Sequence, residues 1–360
     1  MGLLGKISFF VKCLIAIINI VVVAALCFAT YAGYVSPEKH PFCEILSLAF
    51  PIPLIINLLF LVFWVIYDYR WAVIPLSGLL LCCQSIRDYC PFNLSHGSKK
   101  ECLKVMSFNV CNYCLSETKD GINSISQYIV DGDADIVCLQ ETAFLKKGVE
   151  KYVVRQLEKA YPYHDKQRKN WGEIVAVYSR LPIKWGKSLK MKSKNNTSSV
   201  FCIDWDGDSL LLINCHLESI GFGKEDKEEL RNFVDRKIDD IDEQPLMEKI
   251  ELSAVKRAKQ AEFLAEYIQQ NKDKSIILCG DFNSSPVSYP HHILERWLTD
   301  CHTAVGNGVE FTYKRNGILV RIDNFFCSSD LKPTACEVDT KFSDSDHYPI
   351  TCWIKKRAKP

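Results

Sequence analysis

The sequence predicts an α/β chain: two packed mixed sheets flanked by helices, preceded by helices that cross a membrane. Three observations carry that expectation. Short apolar runs recur between residues 103 and 354, each about the length of a strand. Stretches with helical spacing lie between them. The first hundred residues differ in composition, with seven Lys and Arg, four Asp and Glu, and long apolar runs between.

The runs place strands at 103–109, 135–140, 173–179, 199–204, 209–215, 276–280, 321–327 and 349–354. The run Ile276, Ile277, Leu278, Cys279 has no polar member and reads as a strand buried on both faces. Helices are expected at 119–131, where Ile122, Ile125 and Ile129 share a face, and at 149–160. A longer one is expected at 246–271, where Leu252, Val255, Ala258, Phe263, Leu264 and Tyr267 form an apolar stripe. Residues 218–245 are highly charged and read as a solvated helical excursion, or alternatively as a lid beside His216. Residues 184–194 alternate with Lys; a hairpin with a wet face accounts for them, and a patch for phosphate or anionic lipid is the other reading.

Residues 13–34, built on "LIAIINIVVVAALCFA", suit a spanning helix. A signal peptide with Lys6 and Lys12 as its charged start is the rival, but the run is long and no small-residue cleavage site follows. Residues 45–67 form a second span, in which Pro51, Pro53 and Asn57 kink the helix or face a neighbour. Residues 71–86, with Ser77, Gly78 and Gln84, either span as a third helix or lie in the interface. Trp64, Tyr67, Tyr69 and Trp71 around Arg70 read as an interfacial belt. The division is therefore an anchor over 1–86 with two or three spans, a polar linker over 87–101, and a catalytic part over 102–360. Lys6 and Lys12 put the N-terminus on the cytoplasmic side. Three spans then put the catalytic part outside a multi-pass membrane protein, although Lys99 and Lys100 argue the other way.

Beyond the first hundred residues the net charge is −2, with no basic stripe of the kind that holds duplex DNA. Seventeen cysteines leave at least one unpaired. Cys138, Cys215 and Cys279 fall inside apolar strands, a usage typical of a reducing compartment. Cys111 and Cys114 form a C-x-x-C pair without a second pair at zinc spacing. No internal repeat or low-complexity tract occurs.

Polar residues gather where the apolar runs end. "GDFNSSP" leaves Asp281 at a strand terminus and Asn283 two residues on; a turn capping a helix is the structural alternative. "SDHYPI" adds Asp346 and His347 before another strand. "VRIDNFFC" holds Asp323 among apolar neighbours, where a carboxylate needs a partner, and His347 suits it. "VMSFNV" ends on Asn109, "DIVCLQET" on Gln140 and Glu141, and "LLLINCHLES" on His216 and Glu218. Five separate strands thus deliver Asn, Asp, Glu or His to their ends, a donor set able to hold a hard cation and activate water.

The ordered set "SFNV", "LQET", "YSRLPI", "NCHLES", "GDFNSSP", "RIDNFF", "SDHYPI" resembles the endonuclease/exonuclease/phosphatase superfamily over residues 101–355. The resemblance implies a four-layer α/β sandwich with the site at one edge. It also implies a Mg²⁺ ion, with Mn²⁺ as a substitute, bound directly by Glu141. Asn109 then sits beside the ion and orients Asp281, and Asp346 supports the metal. Asp281 positions or deprotonates water, Asn283 holds the water or a phosphoryl oxygen, His347 meets the scissile phosphate, and Asp323 buttresses His347. His216 stands where some members use His and others Tyr to touch phosphate. Some members carry an Asp where this chain has Cys111, which leaves the number of ions open. The implied reaction is hydrolysis of a phosphodiester or phosphomonoester by in-line attack of water. The substrate is lipid-linked, small-molecule or nucleic acid, the bilayer is a partner, and no protein partner is expected. A nuclease with an incidental anchor and a non-catalytic membrane module are the alternatives.

Overall fold

The structure is a computed structural model that describes residues 3–94, 97–115, 123–143, 149–168, 174–193, 196–220, 243–315 and 317–357. Two six-stranded mixed sheets form its centre. In the first, β1 (Leu103–Asn109) and β2 (Ile136–Gln140) run parallel. β4 (Ile174–Ser179) and β3 (Tyr163–Arg168) extend that sheet on the β2 side, while β14 (Ile350–Lys356) and β13 (Leu331–Val338) extend it on the β1 side. The second sheet is built around another parallel pair, β7 (Asp208–His216) and β8 (Ser275–Asp281). β6 (Ser198–Trp205) and β5 (Ile183–Ser188) lie beyond β7. β12 (Asp323–Cys327) and the short β9 (Thr299–Asp300) lie beyond β8. A separate hairpin joins β10 (Tyr313–Arg315) to β11 (Ile318–Val320).

Strand alternation assigns the layers. On β8, Ile277 and Cys279 enter the core between the sheets with Val105, Cys138, Leu212 and Phe325. Ile276 and Leu278 point outward, against Leu264 and Ile268 of α8 (Glu243–Gln270). On β1, Val105 points inward while Met106 and Phe108 meet Ile125 and Ile129 of α6 (Ser124–Asp131) and Leu157 of α7 (Val149–Ala160). The expected four-layer α/β sandwich is what forms. Gly280 has φ +136°, and a Cβ there would stand 2.0 Å from the Cys215 carbonyl oxygen. Only glycine lets β7 and β8 close up at that point.

The differences from the expected elements are physical. β3 is half-exposed and polar, and β13 carries Lys332, Pro333 and Glu337 with a bulge after Pro333. Edge strands are kept polar and irregular, so their apolar signal is weak. α6 starts at Ser124, where the Asn123 side chain accepts from Ser126 N at 3.0 Å. The expected helix over 119–131 begins outside the described residues, as does most of the charged stretch 218–245. Strand β5 and the antiparallel pairing of β5 with β6 bear out a hairpin with an exposed face over the Lys-rich stretch.

At the N-terminus, α1 (Leu3–Ala32) contains one apolar stretch long enough to cross a bilayer, Phe9–Ala32. α2 (Phe42–Leu48) and α3 (Pro51–Tyr67) meet at a 44° bend and reach that length only if taken together. The third apolar segment is broken. A 3₁₀ turn (Tyr69–Ala72), α4 (Val73–Leu81) and α5 (Cys83–Tyr89) follow one another with a break at Cys82. Each piece is shorter than the ~20 residues a span needs. Asn57 faces neighbours, donating to Pro75 O at 3.0 Å and accepting from Asn19. The expected aromatic belt is divided: Trp64 is fully buried and stacks on Trp71, whereas Tyr69 is largely exposed. Gly280→Ala is expected to destabilise the fold by on the order of 3 kcal/mol, because the clashing atom is backbone. Thermal unfolding of the full chain checks it, with Gly207→Ala, at φ +86° but in open space, as the control for backbone strain without a clash.

Candidate active site

Parallel pairing puts the C-terminal ends of β1 and β2 at one edge of the first sheet, and those of β7 and β8 at the corresponding edge of the second. Asn109 and Gln140 end one pair; His216 and Asp281 end the other. β12 runs antiparallel to β8, so its first residue, Asp323, lies directly opposite Asp281. His347 arrives from the segment leading into β14. The polar residues read from separate strand ends therefore meet at one place.

Asp281 is the centre. Its Oδ2 accepts from Asn109 Nδ2 at 3.0 Å and lies 3.5 Å from His216 Nε2 and 3.6 Å from His347 Nε2. Its Oδ1 accepts from the backbone N–H of Asn283 at 2.9 Å. Asn109 Nδ2 also donates to Glu141 Oε1 at 3.0 Å, so a single amide bridges carboxylates from the two sheets. The Asn109 side-chain oxygen accepts from Cys111 N at 3.0 Å, which fixes the amide's orientation. Glu141 and Asn283 hold φ of +53° and +50°, a region that Asn tolerates but Glu rarely adopts. Such backbone collects at functional sites, where the surroundings over-determine it. Asn283 Nδ2 donates to Leu217 O at 3.1 Å, tying the loop to the end of β7.

His347 Nδ1 lies 2.9 Å from Asp323 Oδ2, both side chains being buried. Burial alone would lower the imidazole's pKa, but the charges of Asp323 and Asp281 outweigh it and raise His347 to about 10. The ring is therefore a held cation whose Nε2 is turned to the site. Burial pushes the Asp323 carboxyl up while His347 pulls it down. Asp346 lies apart from this group, its carboxylate 3.0 Å from Arg315 on the β10–β11 hairpin. Every residue expected at the site except Asp346 thus stands in direct contact with another member.

Three contributors escaped the sequence reading. Thr312 Oγ1 accepts from the N–H groups of Ile322 and Asp323 and so sets where β12 starts. Ser345 Oγ donates to Asn109 O at 2.9 Å and accepts from His347 N at 3.2 Å, linking the last motif to the first. Tyr313 presents its ring edge-on to His347, centroids 5.0 Å apart. The Asn-Gly at 316–317 is a turn signal near this wall, but the flanks Tyr-Lys-Arg and Ile-Leu-Val do not alternate and the strands are only three residues each.

The donor set suits a hard divalent cation. Glu141 is part-exposed at the rim, where an ion keeping several waters would sit. Ligand atoms of Asp281, Asp323 and His347 all lie within 4.8 Å of one another. Two carboxylates converging on one amide are a repulsive arrangement that a cation relieves.

Fold and site fit a class of hydrolases whose members are generally metal-dependent and phosphoester-cleaving. A family profile described as the endonuclease/exonuclease/phosphatase family matches residues 106–347, and the chain belongs to that family. A second profile, described as a domain of unknown function, matches residues 12–89. Among solved structures the chain is similar to truncated TDP2 of Caenorhabditis elegans, with 16% identity, TM-score 0.51, and coverage of 70% of this chain and 97% of that one. It is equally similar to D. rerio TDP2 complexed with a single-strand DNA product, at 16% identity, TM-score 0.51, and coverage of 71% and 100%. It is also similar to the human Nocturnin catalytic domain with bound sulfate, at 15% identity, TM-score 0.50, and coverage of 74% and 96%. No curated protein matches the chain.

In metal-free protein, the raised pKa of His347 gives a pH signature. Its pairing contributes stability that is fully present below the ordinary imidazole value of 6.5 and is lost as pH rises through about 10. The expected imidazole NMR titration is correspondingly late. In Asp323→Asn the anion is gone, burial dominates, and the ring titrates well below wild type.

Proposed function

We propose that the chain is a membrane-tethered, Mg²⁺-dependent phosphoesterase that hydrolyses a phosphodiester or phosphomonoester by in-line attack of water. The observation that carries the reading is the convergence of Asn109, His216 and His347 on one oxygen of Asp281. Asp281 is buried at the centre of the site, aligned by Asn109 and by Asn283 N. In that position it orients a water and takes its proton as the oxygen attacks phosphorus. The cationic His347, held by Asp323, offers Nε2 to the phosphoryl oxygens as charge builds on them. His216 contacts the same phosphate from the second sheet, and Asn283 steadies the water or a phosphoryl oxygen. A divalent ion bound at Glu141, beside Asn109, would neutralise phosphoryl charge and supply water of lowered pKa; Asp346, turned to Arg315, stands apart from that position. The products are a phosphate ester or phosphate and the freed alcohol.

The tether reading is supported by the apolar stretch Phe9–Ala32 and by what the helices leave uncovered. Phe10, Ile17, Val21, Phe28, Ile55, Leu59 and Ile66 are each more than half exposed. A patch of that extent calls for an apolar partner, and a bilayer fits the length of α1. Lys6 and Lys12, near the start of α1, favour a cytoplasmic N-terminus; the described helices offer one span, or two if α2 and α3 cross together, and two would return the catalytic part to that same side. A tethered site whose soluble part has net charge −2 favours lipid-linked or small phosphoesters over duplex nucleic acid. Nucleic acid remains the second substrate class, since one solved structure of the same fold is complexed with a single-strand DNA product.

Asp281→Ala and His347→Ala are each expected to lower turnover ~10²–10⁴-fold with the fold intact. EDTA should abolish activity, and Mg²⁺ or Mn²⁺ should restore it. The assay is a panel of nucleic acid, sphingomyelin, glycerophospholipids, inositol phosphates and a generic diester. Near wild-type turnover in either variant would sink the assignment. Separately, the full chain should stay in the membrane pellet through alkaline carbonate extraction; quantitative release to the supernatant would refute the tether.

A further inference from the structure

A second cluster of metal-ligating side chains lies away from the active site, where the N-terminal helices meet the catalytic sheets. α5 brings Asp88 to it, and α9 (Tyr289–Glu295) brings His292 and Glu295. One ligand atom from each lies within 4.8 Å of the other two. Asp88 is fully buried, His292 nearly so, and Glu295 stands at the edge.

The hydrogen bonding of this cluster is incomplete. Asp88 Oδ2 and both ring nitrogens of His292 are buried without a hydrogen-bond partner. Leaving such atoms unpaired costs on the order of 1–3 kcal/mol each, and several together call for an explanation. His292 Nδ1 lies 3.7 Å from Glu295 Oε2. That gap is too long for a hydrogen bond but close to the ~3.4 Å between two ligands on a tetrahedral zinc ion with 2.0–2.1 Å bonds.

The surrounding shell orients these groups. Gln84 Nε2 donates to Asp88 Oδ1 at 2.8 Å, leaving Oδ2 for another partner. The Arg321 guanidinium donates to the Asp88 carbonyl oxygen. Tyr34, just past α1, stacks on the His292 ring, with centroids 4.0 Å apart and planes at 9°. Ring stacking and a tethered carboxylate are the kind of outer support that fixes metal ligands. A cleft of about 460 Å³ elsewhere belongs to the active-site hairpin, whereas a smaller one of about 330 Å³, lined in part by Gln84, Arg87, Asp300 and the cluster's own Glu295, reaches the edge of the cluster.

We propose that Asp88, His292 and Glu295 form a binding site for a zinc-class divalent transition-metal ion that clamps the N-terminal helices to the catalytic sheets. One imidazole and two carboxylates form a three-ligand set, with the fourth position left to water. The imidazole distinguishes it from a magnesium site, which takes oxygen donors and keeps its waters. The ligands come from both parts of the chain, Asp88 from α5, the last of the N-terminal helices, and His292 and Glu295 from α9 of the catalytic part. Binding therefore stabilises their contact by mass action. The proposal is independent of the hydrolase reading.

The test uses the full chain in detergent, incubated with Zn²⁺ and dialysed against buffer containing Mg²⁺, with metal read by plasma mass spectrometry. Wild type and the active-site variant Glu141→Gln should each retain about one zinc per chain. His292→Ala and Glu295→Gln should retain less than about a tenth of that. A chelator selective for zinc over magnesium should lower the unfolding temperature of wild type and Glu141→Gln by several degrees and leave Glu295→Gln unmoved. If His292→Ala fails to fold, Glu295→Gln decides, because its side chain lies at the rim. Zinc absent from wild type, zinc unchanged in Glu295→Gln, or zinc lost in Glu141→Gln would each overturn the proposal.

Discussion

The burial of the Asp281 carboxylate is the constraint on which the rest of the candidate site depends. A carboxylate this enclosed is tolerable only if its lone pairs are met. Here one oxygen faces Asn109, His216 and His347, and the other takes the Asn283 N–H. Those partners come from β1, β7, the loop after β8 and the segment before β14. Meeting them requires the two sheets to be stacked with their parallel pairs pointing the same way. Gly280 is part of that requirement, since a side chain there would push β8 off β7 one residue before Asp281. The register of β12 is another, because sliding it by one residue would turn Asp323 away from His347.

The N-terminal helices are fastened to this arrangement rather than trailing from it. Glu44 of α2 meets Arg257 of α8 at 3.1 Å, and both are buried. The same Arg257 donates to Glu218 O at 3.0 Å, and Gln260 of α8 accepts from Glu218 N at 2.8 Å. Glu218 lies two residues after His216. One buried arginine therefore joins the N-terminal segment to the backbone that carries a site histidine. A buried pair of this kind adds little net stability but is costly to break, so it fixes relative position more than it strengthens the fold.

Much of the sandwich was legible because its central strands are apolar on both faces. Ile276 to Cys279 announces such a strand without help from periodicity. The terminal residues Asn109, Glu141, His216 and Asp281 were legible only jointly: one polar residue ending an apolar run is an ordinary strand terminus, but several strands ending on Asn, Asp, Glu or His form a donor set. The edges were not legible. β13, with Lys332 and Pro333, resembles a loop, and β10–β11 is too short to stand out. With those elements went Thr312 and Tyr313, which matter through what they touch. Asp88 and His292 were equally silent, since nothing in sequence joins residues two hundred positions apart. The third apolar segment misled because hydropathy counts residues and does not see the break at Cys82.

The two parts of the chain follow opposite rules of burial. In the catalytic part apolar side chains fill the three cores, and the buried polar residues include those of the site and pairs remote from it, such as His291 and Asp300. Among the N-terminal helices the polar side chains lie within. Trp64 Nε1 donates to Asn19 Oδ1 at 3.1 Å, and Asn57 Nδ2 donates to Pro75 O at 3.0 Å, while Phe10, Val21, Leu59 and Ile66 face outward. Water as solvent would select the reverse. In lipid the outward Phe and Ile cost nothing, while Asn and Trp must find hydrogen bonds inside the bundle. Outward apolar faces beside buried, hydrogen-bonded Asn and Trp are a feature that helix length alone does not show, and it is what supports the proposed tether. α5 and Asp88 stand where that pattern gives way to the buried apolar cores of the catalytic part.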